Sequence, residues 1–186
     1  MQKQKLSGSE KIGNTEYSVL DFWSWGYSTL LENTTRSVFA EFLVASVLKK
    51  TDKPRVEWDA VDLHYREKKI EVKASAYLQA WAQKQHSKII FDISLKKGWT
   101  AETNTYAPEP CRSADCYVFC IYTEKEIENV DILNVEKWQF YVIPTEVLNQ
   151  NCATQKSLSL KRIEALAKPV SYEFLKKEIE RVLKIE

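Results

Sequence analysis

The sequence predicts one α/β (α+β) domain around a mixed central β-sheet, and three stretches carry that prediction. Apolar residues recur at helical spacing through "TRSVFAEFLVASVLKK". They then alternate with polar residues through "RVEWDAVDLHY" and "IEVKA", the period of strands. Further on, "DCYVFCIYT" is almost wholly apolar, as expected of a strand at the centre of a sheet covered on both faces. At 186 residues the chain suffices for one domain with a substantial core. It divides into a polar lead-in over 1–18, a core over 34–148 and a helical C-terminal segment over 155–186.

Each element follows from its residues. The lead-in, "MQKQKLSGSEKIGNTEYS", has no apolar signal-peptide core and reads as loosely attached. The aromatic-rich "YSVLDFWSWGYSTLL" predicts a short helix or loop packed on the domain. Tryptophans here and elsewhere read as core residues, with Trp99 placed to touch substrate. Asn33 or Thr34 offers an N-cap for the helix that follows, and Val38, Phe39, Phe42, Leu43 and Val47 form its apolar stripe. Lys49 and Lys50 suit the negative end of its dipole, and the run breaks at Asp52–Pro54. The two alternating stretches joined by "REKK" form a hairpin. "AYLQAWAQKQ" predicts a helix or helical turn and "SKIIFDISL" a strand. Residues 97–113, with Gly98, Pro108 and Pro110, form a long loop of the kind that often carries function. "WQFYVIP" is a strand, "TEVLNQ" a short helix, and the tail is helical with an interruption at Pro169.

Composition narrows the function. The net charge of +1 excludes a global basic field, so any nucleic-acid contact must come from a local cleft. No apolar run approaches the roughly 18 residues of a membrane span. Cys111, Cys116, Cys120 and Cys152 lack zinc-ligand spacing, and the two histidines, His64 and His86, lie far upstream. Reduced thiols and a cytoplasmic location are therefore expected.

The hairpin holds the chemistry. Asp59 and Asp62 lie on its first arm, and Glu71 and Lys73 share one face of its second, with Ile70, Val72 and Ala74 turned to the core. Carboxylates converging across such a ladder repel one another and call for a cation. Mg²⁺ fits, since it takes hard oxygen ligands and binds through one or two carboxylates, waters and substrate phosphate. A lysine beside it can orient or deprotonate water, or stabilise charge on the phosphate. Glu41 lies on or beside the core-facing stripe of the preceding helix and could complete the site.

"EWDAVDLHYREKKIEVK" resembles the PD-(D/E)xK nuclease superfamily, and "SAYLQAW" resembles a group of poorly characterised bacterial proteins that carry this motif with a Gln on the following helix. The resemblance covers residues from about 34 to 122. It implies a restriction-endonuclease-like αβββαβ core and a Mg²⁺-dependent DNA endonuclease, with Mn²⁺ as substitute and 5′-phosphate products. Carried over by position, it makes Asp59 and Glu71 metal ligands, Glu41 an assisting acid, Lys73 the catalytic lysine and Gln79 an accessory polar residue. Trp58 stands where the family has a proline. Asp59 is twelve residues before Glu71 and Asp62 nine; family spacing prefers Asp59, while hairpin parity leaves either open. Many relatives act as dimers, so a homodimer is an expected partner arrangement beside DNA. Lys84, Lys88, Lys96, Lys97 and Arg112 are candidates for phosphate contact or for a solvated face. A non-catalytic nucleic-acid-binding or assembly module on the same fold, or a structural domain that binds no nucleic acid, are the rival readings.

Overall fold

The computed structural model describes residues 4–57, 59–100 and 103–185; Trp58 and Met1–Lys3 of the lead-in lie outside them. In chain order the elements are α1 (Val19–Tyr27), α2 (Asn33–Val47), β1 (Leu63–Tyr65), β2 (Lys68–Ala76), β3 (Ile90–Asp92), β4 (Trp99–Thr100), β5 (Thr105–Tyr106), β6 (Cys116–Tyr122), β7 (Trp138–Pro144), α3 (Thr145–Asn151), β8 (Ser157–Ser159), α4 (Leu160–Leu166) and α5 (Tyr172–Leu183). The central sheet runs β1-β2-β6-β7. It is mixed: β2 pairs parallel with β6, while β1–β2 and β6–β7 are antiparallel.

Alternation along the strands gives the sheet two different faces. Ile70, Val72 and Ala76 of β2, Cys116, Val118, Cys120 and Tyr122 of β6, and Trp138, Phe140 and Val142 of β7 pack on α2 and α5. The opposite face offers Tyr117, Phe119 and Ile121 of β6 with Tyr141 and Ile143 of β7, covered by the β3–β8 ribbon, α3 and α4. Every residue of β6 is buried, as its unbroken apolar run predicts. Glu71 and Lys73 of β2 project to this second face and line a cleft there.

Helix α2 turns Ala40, Leu43 and Val44 inward and buries Arg36 and Glu41 beside them. Its cap is Glu32, one residue before the expected Asn33, and makes no side-chain cap bond. The helix closes on Lys49 in the left-handed region, with Lys50 N–H donating to the Ala45 carbonyl and Lys49 N–H to Ser46, a Schellman closure.

Several expectations are corrected. The segment predicted as a helix or helical turn over "AYLQAWAQKQ" forms no helix; β2 runs on to Ala76 and the chain then folds through turns. The Gln83 side chain replaces the helical bonds, accepting from Gln79 N–H at 2.7 Å and donating to the Tyr77 carbonyl and the Ser87 hydroxyl. The strand expected from "SKIIFDISL" shortens to β3 and pairs with β8 outside the central sheet, so the αβββαβ order is not reproduced element for element. The first hairpin arm is a strand only at its last three residues. Trp138 is core, but Trp25 is 86% exposed and Trp81 56%, and α1 buries none of its residues.

Helix α5 is the outer support of the sheet: Leu175, Ile179 and Leu183, at i, i+4 and i+8, form its buried stripe. Ile179→Ala should cost about 2–5 kcal/mol by leaving a cavity against the sheet. A urea unfolding midpoint unchanged from wild type would contradict that packing.

Candidate active site

The β1–β2 turn consists of Arg66 and Glu67 alone, both with positive φ (46° and 64°), the geometry of a type I′ turn. It sets Tyr65 opposite Lys68, His64 opposite Lys69 and Leu63 opposite Ile70. One step further, the same register puts Asp62 across from Glu71. There the chain leaves the ladder, and the Asp62 side chain takes the place of a backbone partner: Val72 N–H donates to Asp62 Oδ2 at 2.7 Å. Beside it, Lys73 Nζ donates to Glu71 Oε1 at 2.6 Å, both side chains being largely covered.

These residues line an open cleft of about 420 Å³ that also takes in Asp59, Asp92, Lys96 and Trp99. Its far wall belongs to the 97–113 loop, which packs close at Gly98. A Cβ there would lie 2.9 Å from the Ala60 Cβ and 2.8 Å from the Ser113 hydroxyl, so the loop reaches the acidic segment only with glycine at this position.

Electrostatics ties the groups together. Burial, then the Glu71 and Glu41 carboxylates, push the Asp62 pKa up to about 7. Burial would lower the pKa of Lys73, but the Glu71 carboxylate outweighs it and leaves the ammonium more firmly protonated than usual. Lys73 is thus a cation at the cleft floor. Burial likewise keeps the Tyr117 hydroxyl, next to Glu71 on β6, protonated.

The sequence candidates fall into three groups. Glu71, Lys73, Asp59 and Asp62 share the cleft. Asp62 falls opposite Glu71, whose carboxylate helps to raise its pKa, and Asp59 sits 3.5 Å from His64 Nε2 and accepts from Ala60 N–H. Glu41 is buried, and both of its oxygens accept from Arg55, Oε2 from Nε and Oε1 from Nη2. Gln79 is outside the cleft lining: its amide accepts from buried Arg36 and donates to the Ala76 carbonyl. Of the candidate phosphate-binding cations, Lys96 and Lys97 line the cleft. Arg112 is buried and bonded to Ile93, Asn149, Cys152 and Gln155, so it braces the fold instead. Sequence reading missed Asp92 and Arg55; neither carries a local motif, and only the tertiary structure brings them in.

Among the described residues no group of three or more His, Cys, Asp or Glu side chains gathers to hold a metal ion. Asp62 and Glu71 nevertheless form a pair of hard-oxygen donors whose mutual repulsion a cation would relieve. That donor set suits an ion that takes two carboxylates and completes its shell with water and substrate phosphate.

Two acids and a lysine thus converge in an open cleft of a mixed-sheet α+β domain. The family model for bacteriophage T4 endonuclease IV matches residues 3–162, and the chain belongs to that family of nucleases. The matched span contains the whole cleft. No curated protein and no solved structure gives a significant match. No helix among the described residues is long and apolar enough to cross a membrane.

The Asp62 shift has a measurable sign. Its pKa in the folded chain exceeds the ordinary 3.8, so between about pH 4 and about pH 7 the folded state holds a proton that the unfolded state lacks. Stability should therefore fall as pH rises through that window and level off above it, by an amount on the order of 2–4 kcal/mol. Asp62→Asn should flatten this limb in urea titrations at pH 4–8; an identical slope in the variant would contradict the assignment.

Proposed function

We propose that this chain is a Mg²⁺-dependent DNA endonuclease using the two-carboxylate-and-lysine chemistry of the PD-(D/E)xK nucleases. The observation that carries the reading is the convergence of Asp62, Glu71 and Lys73 in one open cleft of a chain from a phage endonuclease family. Glu71 and Asp62 would hold the ion, with Asp59 alongside at the mouth. When bound, Mg²⁺ or Mn²⁺ would polarise the phosphodiester and lower the pKa of a water.

The chain's own groups account for the rest. Lys73, held protonated, offers N–H donors and positive charge to the phosphoryl oxygens as negative charge builds there. Carboxylate oxygens of Glu71 and Asp62 accept hydrogens from water and so fix its orientation for in-line attack. Lys97, and Lys96 paired with Asp92 at 3.0 Å, line the same cleft, where a backbone phosphate would pass. The Trp99 ring, with its indole N–H bonded to Asn104 at 3.0 Å, offers an apolar surface to sugar or base. Gln79 enters the proposal as a support for the chain leaving β2, through Arg36.

Plasmid, linear and single-stranded DNA should be cut with Mg²⁺ or Mn²⁺ and left intact in EDTA. Lys73→Ala, Glu71→Gln and Asp62→Asn should each lower the rate by about 10²–10⁴-fold while the protein stays folded by circular dichroism. Cleavage that survives Lys73→Ala together with Glu71→Gln rules the mechanism out. DNA bound tightly but never cut would instead mark a non-catalytic binding module.

A further inference from the structure

A second groove, of about 720 Å³, opens on the α2 side of the acidic pair. It shares Asp59 and Asp62 with the first cleft, so the two adjoin at these carboxylates. Its lining carries the acids Glu41, Asp52, Asp59 and Asp62 together with Lys5, Lys50, Lys53 and Arg55. Lys5 Nζ donates to the Thr51 carbonyl. Phe42, expected to face the core, is 53% exposed in this groove.

Arg55 joins the acids to the bases. Its Nε and Nη2 are clamped on the Glu41 carboxylate in a two-pronged pair, and Glu41 is itself locked into buried α2. A guanidinium held by that edge has a fixed plane, and Nη1 lies on the edge the carboxylate leaves over. The side chain remains 37% exposed on the groove wall. An arginine with a fixed plane is suited to a phosphate, whose oxygens accept directional N–H bonds. A carboxylate committed at both oxygens is poorly suited to ligating a metal.

Resting on the nuclease reading above, we propose that Arg55 binds a backbone phosphate of the nucleic-acid substrate on the α2 side of the cut. Glu41 is its positioning residue and not a metal ligand. The substrate strand then runs from Lys96 and Lys97 across Asp62 and Glu71 to Lys50, Lys53 and Arg55.

The test uses the full chain and a fluorescein-labelled DNA oligonucleotide, single-stranded and duplex, with anisotropy read in EDTA over a range of NaCl concentrations. Arg55→Ala should weaken binding by about tenfold or more and reduce the slope of log K against log salt by about 1. Glu41→Gln should weaken binding in the same way, and the double variant should be no weaker than Arg55→Ala alone. Arg55→Lys, which keeps the charge but not the fork, should recover the salt slope and only part of the affinity. Lys53→Ala, exposed in the same groove, should also lower the slope and guards against misfolding of the arginine variants. Mn²⁺ binding, followed by calorimetry, should persist in Glu41→Gln and be lost in Glu71→Gln. The proposal is overturned if Glu41→Gln loses Mn²⁺ binding, or if Arg55→Ala and Lys53→Ala bind DNA with wild-type affinity and slope. Wild-type protein that neither binds nor cuts DNA overturns the nuclease reading itself.

Discussion

The hydrogen bond from Val72 N–H to Asp62 Oδ2 is the constraint on which the site depends. Strand β1 is only three residues long, so its ladder with β2 ends at the Leu63–Ile70 pair. A bare N–H on a half-covered strand edge costs free energy unless something accepts from it. Asp62 does so with a side chain, and in doing so its carboxylate is brought beside Glu71. The same bond that satisfies the sheet edge creates the electrostatic tension of the cleft. Its geometry is set by the Arg66–Glu67 turn, which fixes the register from which Asp62 departs.

Strand β2 divides fold from chemistry by parity. Ile70, Val72 and Ala76 anchor it to α2, while Glu71 and Lys73 project the other way. Parallel pairing with the fully buried β6 holds the strand rigid and sets Glu71 beside Tyr117 and Lys73 beside Phe119. A site on a central strand needs little loop ordering, and the loop that does close on it is brought in at Gly98. Helix α5 lies beyond the family-matched span, yet Leu175 and Ile179 complete the core under β7. That core keeps the sheet, and so the cleft floor, in place.

The face carrying Glu71 and Lys73 was legible because alternation with Ile70 and Val72 leaves a strand no other arrangement. Which of Asp59 and Asp62 falls opposite Glu71 was not. It turns on a two-residue turn built without Gly or Asn, the residues that normally announce positive φ. The helix expected at "AYLQAWAQKQ" failed for a similar reason: propensity favours it, but Gln83 bonds the backbone of Tyr77 and Gln79 first. Glu41 was correctly placed beside the buried stripe. Its partner was hidden, because Arg55 returns to it across fourteen residues and the break at Pro54.

A net charge of +1 looks unpromising for a protein that handles a polyanion. The arrangement of charge resolves this. Asp59 and Asp62 line both grooves, and Lys96 and Lys97 on one side and Lys5, Lys50, Lys53 and Arg55 on the other add positive charge to the linings. Summed over the chain these nearly cancel. Over distances shorter than a Debye length of about 8 Å the local sign is what a phosphate meets. The acids would repel a strand unless a cation lay between, while the lysines and Arg55 would attract it with or without one. On the proposed function, binding and cleavage fall to different residues, which is why a metal-free binding measurement can separate Arg55 and Glu41 from Glu71 and Lys73.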